Sequence, residues 1–148
     1  MPIAASQYLN FHGWYTADPV TRIQACRTGV PSSIIRKTAK LLNLTPRELT
    51  RTLGLSYAAI ARKIKNQKPL NPAETESIVG MFCLIGQVKA IADKNIGEDF
   101  DSVKWFSSWI WEPLPALSGT PAAEYLDTNE GRKLISRILG AAESGVYL

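Results

Sequence analysis

Residues 45–68 read TPRELTRTLGLSYAAIARKIKNQK, and the reading of this stretch decides the fold. Thr45 is a good helix N-cap, Pro46 at the first helical position has no N–H to lose, and Glu48 two residues on completes a capping box. Leu49 and Leu53 place an apolar pair on one face of that helix. Gly54 ends it, Leu55 plugs the angle, and Ser56 caps a second helix that buries Ile60 and Ile64. On the far side of the second helix Ala58, Arg62, Lys65 and Asn66 recur at helical spacing. A helix-turn-helix that lays its second helix in the DNA major groove needs this division of labour. Helix, glycine turn and helix also describe αα-hairpins without a ligand, so the placement of charge has to separate the two readings.

The formal net charge is only +4, but it is unevenly divided. Residues 32–68 carry nine lysines and arginines against Glu48 alone, whereas residues 69–148 carry six basic and eleven acidic side chains. A basic block ahead of an acidic half predicts a polyanion site on one part and a different partner for the other. On the second helix, Tyr57, Ala58, Arg62 and Lys65 are the candidates for base edges, with Arg62 as the main reader of a guanine. Lys63, Lys68, Arg47 and Arg51 are candidates for phosphate contacts. The helix before the hairpin, capped by Ser32 or Ser33 and reaching Asn43, turns Ile35, Ala39 and Leu42 inward and Arg36, Lys37 and Lys40 outward. Those three cations either touch phosphates or form a solvated face.

At 148 residues with 45% apolar composition the chain can bury a core as one domain or two small ones sharing it. Tyr8, Phe11, Trp14 and Tyr15 precede a short helix expected around Val20–Thr28, and are read as packing onto the body. Asn71, Pro72 and Glu74 begin a long helix reaching about Ala92. It is apolar on most of its circumference and so must be surrounded, at the centre of the fold or partly in a homodimer interface. Gly80 and Gly86 would let a neighbour approach closely. With Gln87 and Lys89 inside its most apolar window, it reads as a buried helix rather than a membrane span. Asp99 or Asp101 caps the next helix, which carries Val103, Phe106, Trp109 and Ile110 and ends at Glu112-Pro113. A short helix over Pro121–Leu126 follows, and Thr128 caps the last helix, with Ile135, Ile138 and Leu139 inward and Gly145 as its stop. Gly131 inside that helix predicts a close-packed neighbour. No strand pattern is evident, so the expectation is an all-α protein.

Enzymatic chemistry finds little here. His12 is the single histidine, and there is no Gly-rich phosphate loop, metal-ligand spacing or nucleophile elbow. The reading is therefore a non-enzyme without cofactor or metal. Cys26 and Cys83 give no disulfide framework, and no basic region followed by an apolar run marks a secretion signal, so a soluble cytoplasmic protein is expected.

From Trp105 to Leu148 the chain reads WFSSWIWEPLPALSGTPAAEYLDTNEGRKLISRILGAAESGVYL. This run resembles the toxin-binding domain of the Xre/MbcA/ParS antitoxins. The likeness is carried by Trp105, Trp109, Pro113, Leu117, Gly119 and Pro121, then Leu126, Thr128, Glu130, Gly131 and Leu139, and finally Gly145, Val146 and Tyr147. In that family such a run follows an Xre-like helix-turn-helix, as it does here, so the resemblance covers roughly residues 32–148. It leaves residues 1–31 as an N-terminal aromatic segment. The hairpin region is then 32–70, the central apolar helix and connector 71–97, and the toxin-binding domain 98–148.

The resemblance implies a type II antitoxin that represses its own operon and covers the active site of a RES-type toxin, which consumes NAD. It implies a cognate toxin, operator DNA and a homodimer as partners, since helix-turn-helix proteins read paired half-sites by two-fold symmetry. By the same analogy, Glu143, Gly145, Val146, Tyr147 and Leu148 form the toxin-binding tail. In it Glu143, the Tyr147 ring and the Leu148 carboxylate enter a basic, nucleotide-sized pocket on the toxin. The alternative is a stand-alone transcriptional repressor with a C-terminal oligomerisation domain, and a third possibility keeps toxin binding without DNA binding.

Overall fold

A computed structural model describes residues 5–143. Gly145, Val146, Tyr147 and Leu148 of the expected tail lie outside the described residues. The architecture is all-α, with eight α-helices among the described residues and one antiparallel pair of two-residue strands.

Helix α6, Pro72–Asn95, is the axis of the fold. It opens on the expected capping box: Asn71 Oδ1 accepts from Glu74 N at 2.8 Å and Glu74 Oε1 accepts from Asn71 N at 2.9 Å. By length and composition α6 could cross a membrane, but 67% of its most apolar window is buried inside the protein. The cover comes from this chain itself. Helix α1, Phe11–Thr16, crosses it at Gly86, where a Cβ would run into the Phe11 carbonyl and lie 2.7 Å from Tyr15 Cβ. The Phe11 ring meets Phe82 at 5.1 Å between centroids, tilted by 50°. Helix α2, Pro19–Thr28, is the short helix expected around Val20–Thr28; it lies alongside with no fully buried residue and is capped by Asp18. The last helix, Asn129–Glu143, completes the sheath. There Gln87 Nε2 donates to the Ser136 carbonyl at 3.0 Å, and Ser136 Oγ returns a bond to Gln87 Oε1 at 2.8 Å. A central role for α6 is therefore what its all-round apolar character produces. Its circumference is covered within one chain, which leaves little of it for a dimer interface.

Helix α3, Ile34–Leu41, buries Ile34, Ile35 and Ala39 and exposes Arg36, Lys37 and Lys40. Its start differs from expectation: Ser33 makes no side-chain capping bond, and Ser32 is buried. Helices α4, Pro46–Thr52, and α5, Tyr57–Lys65, form the hairpin, held to the core through Leu49, Leu53 and Ile60. Helix α7, Ser102–Trp109, is capped by Asp101, settling the choice between the two aspartates.

The strands are a small correction. Pro113–Leu114 (β1) pairs with Thr120–Pro121 (β2), closed by Ser118 and Gly119 at φ of 55° and 87°. Two residues per strand give no alternation that a sequence pattern could register. The segment expected as a helix over Pro121–Leu126 is a 3-10 turn, Ala122–Tyr125. The last α-helix, α8 in chain order, begins under Thr128, whose Oγ1 accepts from Gly131 N at 2.9 Å. A Cβ on Gly131 would strike the Tyr125 carbonyl, so the close neighbour expected there is the preceding turn. One hydrophobic core runs from Phe11 through the hairpin to Leu139.

Candidate functional site

The hairpin geometry follows from its caps. Thr45 Oγ1 accepts from Glu48 N at 3.1 Å, and Glu48 Oε1 accepts from Thr45 N at 3.1 Å. Those bonds hold the Glu48 carboxyl below its usual range, the Thr45 backbone bond contributing most. Gly54 takes φ of 70°, and Ser56 Oγ accepts from Ala59 N at 3.2 Å to start α5. The helix ends with Lys68 N bonded to the Lys63 carbonyl at 2.8 Å and Gln67 at φ of 54°, a left-handed cap without glycine.

This scaffold places Ala58, Arg62 and Lys65 on the exposed side of α5, with Lys68 exposed just beyond its end. Arg47 and Arg51 are exposed on α4. Tyr57 is half-buried, with the Arg47 guanidinium 4.3 Å above its ring, so two of the candidate residues hold each other across the turn. Lys63 departs from this set. Its ammonium is paired with Glu74 Oε1, the same oxygen that caps α6, and the two side chains are 24% and 9% exposed. A phosphate would have to compete with that carboxylate, so Lys63 serves to lock the end of α5 to the start of α6. Sequence periodicity could not reveal this, because Glu74 belongs to another helix.

The opposite half is organised by aromatic packing. Phe106, Trp109 and Ile110 are buried, and Trp105 stacks on Trp109 at 5.2 Å and 16°. Trp109 is buried, whereas Trp105 is only half-buried and has a face left over. Arg132 was not singled out by sequence and is 6% exposed. It crosses Gly80, where a Cβ would lie 2.6 Å from Nε, and Nη1 donates to the Leu126 carbonyl at 2.8 Å. Burial lowers its pKa, opposed by the charges of Glu76 and Asp127. The clue was Gly80, whose missing side chain makes room for it.

Between the C-terminal end of α6, α7 and the end of α8 lies an apolar groove of about 200 Å³. Val88, Ile91, Ile96, Phe100, Trp105 and Leu139 line it, with Glu143 at its edge. Among the described residues, no group of His, Cys, Asp and Glu could hold a metal ion.

Comparison with known proteins matches both halves. The family model of the antitoxin Xre-like helix-turn-helix domain matches residues 21–81, starting earlier than the expected boundary at 32 and taking in most of α2. That of the antitoxin Xre/MbcA/ParS C-terminal toxin-binding domain matches residues 98–145. The chain is also 34% identical over 134 residues to a Sphingobium sp. (strain YBL2) protein described as the Prs ADP-ribosylating antitoxin, covering 90% of this chain and 84% of that protein. Both matched models describe antitoxin domains, the second a toxin-binding one, and so does the relative's description, which sets the free-standing repressor aside. A basic helix-turn-helix and an aromatic toxin-binding half built on one core place the chain in the Xre/MbcA/ParS family, as the antitoxin of a toxin–antitoxin system.

Proposed function

We propose that the protein neutralises a RES-type, NAD-consuming toxin by occluding its active site, and represses its own operon through α4 and α5. The observation that carries the DNA half is the outward face of the hairpin, where Arg62, Lys65, Lys68, Arg47 and Arg51 are all exposed while Leu49 and Ile60 of the same helices are buried. Tyr57, Ala58, Arg62 and Lys65 face base edges in this reading, and Lys68, Arg47 and Arg51 contact phosphates. Lys63 is left out because Glu74 already neutralises it.

The toxin half rests on Glu143, at the end of α8, followed by Gly145, Val146, Tyr147 and Leu148. An aromatic ring beside an acidic side chain is what a nucleotide-sized basic pocket would accept. The relative described as an ADP-ribosylating antitoxin supports NAD chemistry on the partner's side. On operator DNA the chain acts as a homodimer, through a surface other than the sheathed α6, and it works in a reducing cytoplasm where Cys26 and Cys83 stay free thiols. Burial raises the pKa of both thiols.

Deleting Gly145–Leu148 tests the toxin half. The truncated chain should lose the ability to rescue cells from the co-expressed toxin and still retard its own promoter fragment. Full rescue would overturn the tail as the occluding element. Equilibrium sedimentation that finds only monomer at micromolar concentration would remove the dimer.

A further inference from the structure

The groove between α6, α7 and α8 has no role in the tail-centred account. Its walls are almost wholly apolar, and Ile96 on its rim is 70% exposed, the most exposed large apolar side chain among the described residues. A branched aliphatic side chain left that open gains nothing for folding, since it is hardly removed from water. Trp105 adds an aromatic face, stacked from behind on Trp109 and therefore fixed in place. Rigid aromatic walls around a small apolar depression are what an anchor side chain from a partner needs.

The rim is acidic. The loop joining α6 to α7 carries Ile96 and Phe100 into the groove, and the same loop exposes Glu98 and Asp99 to solvent. Neither carboxylate makes a hydrogen bond or ion pair among the described residues, in contrast to Asp101, which caps α7, and Asp93, which pairs with Lys89. Phe100, Trp105, Leu139 and Glu143 all fall within the matched toxin-binding domain, and Glu143 is the residue from which the tail departs. More than half of the groove's lining thus belongs to the domain matched to toxin binding.

We infer that this groove is a second toxin anchor: it receives one or two apolar side chains of the toxin from a segment flanked by lysine or arginine, which Glu98 and Asp99 pair with. This rests on the toxin-binding reading and extends it from the tail onto the folded body. The tail covers the active site, and the groove adds affinity beside it.

The test uses full-length protein and the purified product of the reading frame next to its gene, with affinity measured by calorimetry. Ile96→Arg places a cation on the groove without disturbing buried packing, and Glu98→Lys with Asp99→Lys reverses the rim. Truncating a central interface anchor typically weakens binding by about 10- to 100-fold, so Ile96→Arg should do at least that. The rim variant should bind more weakly too, chiefly through slower association. Both should keep wild-type melting temperature and promoter retardation. Wild-type affinity in both variants would overturn the groove and leave the tail reading standing. A loss that tracks dissociation of the antitoxin's own dimers in sedimentation would also overturn it, in favour of a second copy in the groove. Failure of the wild-type chain to bind that product would remove the toxin reading itself, and the groove with it.

Discussion

Replacing Lys63 by alanine should damage the fold rather than the grip on DNA. Lys63 and Glu74 are 24% and 9% exposed at their side chains, and the carboxylate also caps α6 through Asn71 N. Breaking a fully buried ion pair by deleting one partner costs about 3–5 kcal/mol, and an exposed pair is worth about 0–1 kcal/mol. This pair lies between those limits, and the surviving cap bond keeps Glu74 partly satisfied, so about 1–3 kcal/mol is expected. For a chain of this size that is about 2–4 °C in melting temperature per kcal/mol. Urea denaturation followed by circular dichroism would read the loss as a lower midpoint at unchanged slope. In DNA binding, each phosphate contact contributes about 0.9 to the slope of log affinity against log salt. Lys63→Ala should leave that slope alone, whereas Lys68→Ala should lower it by about 0.9. An unchanged urea midpoint together with a salt slope reduced by that amount would refute the reasoning and return Lys63 to the phosphate contacts.

Three other perturbations follow from the same geometry. Gly86→Ala drives a Cβ into the Phe11 carbonyl and should cost about 1–3 kcal/mol by overpacking, seen in the urea midpoint; wild-type stability would mean that α1 does not sit on α6 as described. Arg62→Ala should weaken operator binding by about 1–3 kcal/mol and relax preference at one base position, whereas an equal loss on every sequence would make Arg62 a phosphate contact. The Glu48 carboxyl is held below its unfolded value by Thr45, so its contribution to stability is present above the ordinary carboxylate range and disappears as pH falls through the lowered folded value. Wild type should accordingly be more stable than Glu48→Gln at neutral pH, with the two converging in acid; a gap independent of pH would show that the ionised form is not what caps α4.

The elements most legible in the sequence were those whose causes are local. Thr45 with Glu48, Asn71 with Glu74, Gly54 and Thr128 act within four residues of themselves, so their caps and turns could be read directly. Gly80, Gly86 and Gly131 announced close approach but could not say by what; the answers are Arg132, α1 and Tyr125. Helix α1 was not anticipated as a helix, because Phe11–Thr16 is six residues long with Gly13 inside it and little intrinsic propensity. It is helical because Phe11 has Phe82 to pack on. The site shows the same split. The exposed face of α5 is periodic and was visible, whereas the Lys63–Glu74 pair and the Ile96–Trp105 groove join residues from different helices and depend on how α6 is dressed.

Two partners should meet two separate surfaces built on one hydrophobic core. Hydrogen–deuterium exchange of the full-length protein, alone, with its promoter fragment and with the neighbouring toxin, tests that most directly. Promoter DNA should slow exchange within residues 45–68 alone, and toxin should slow it at 96–105 and from 139 to the C-terminus. Protection of one common segment by both partners, or of the hairpin by toxin and the α8 end by DNA, would contradict it.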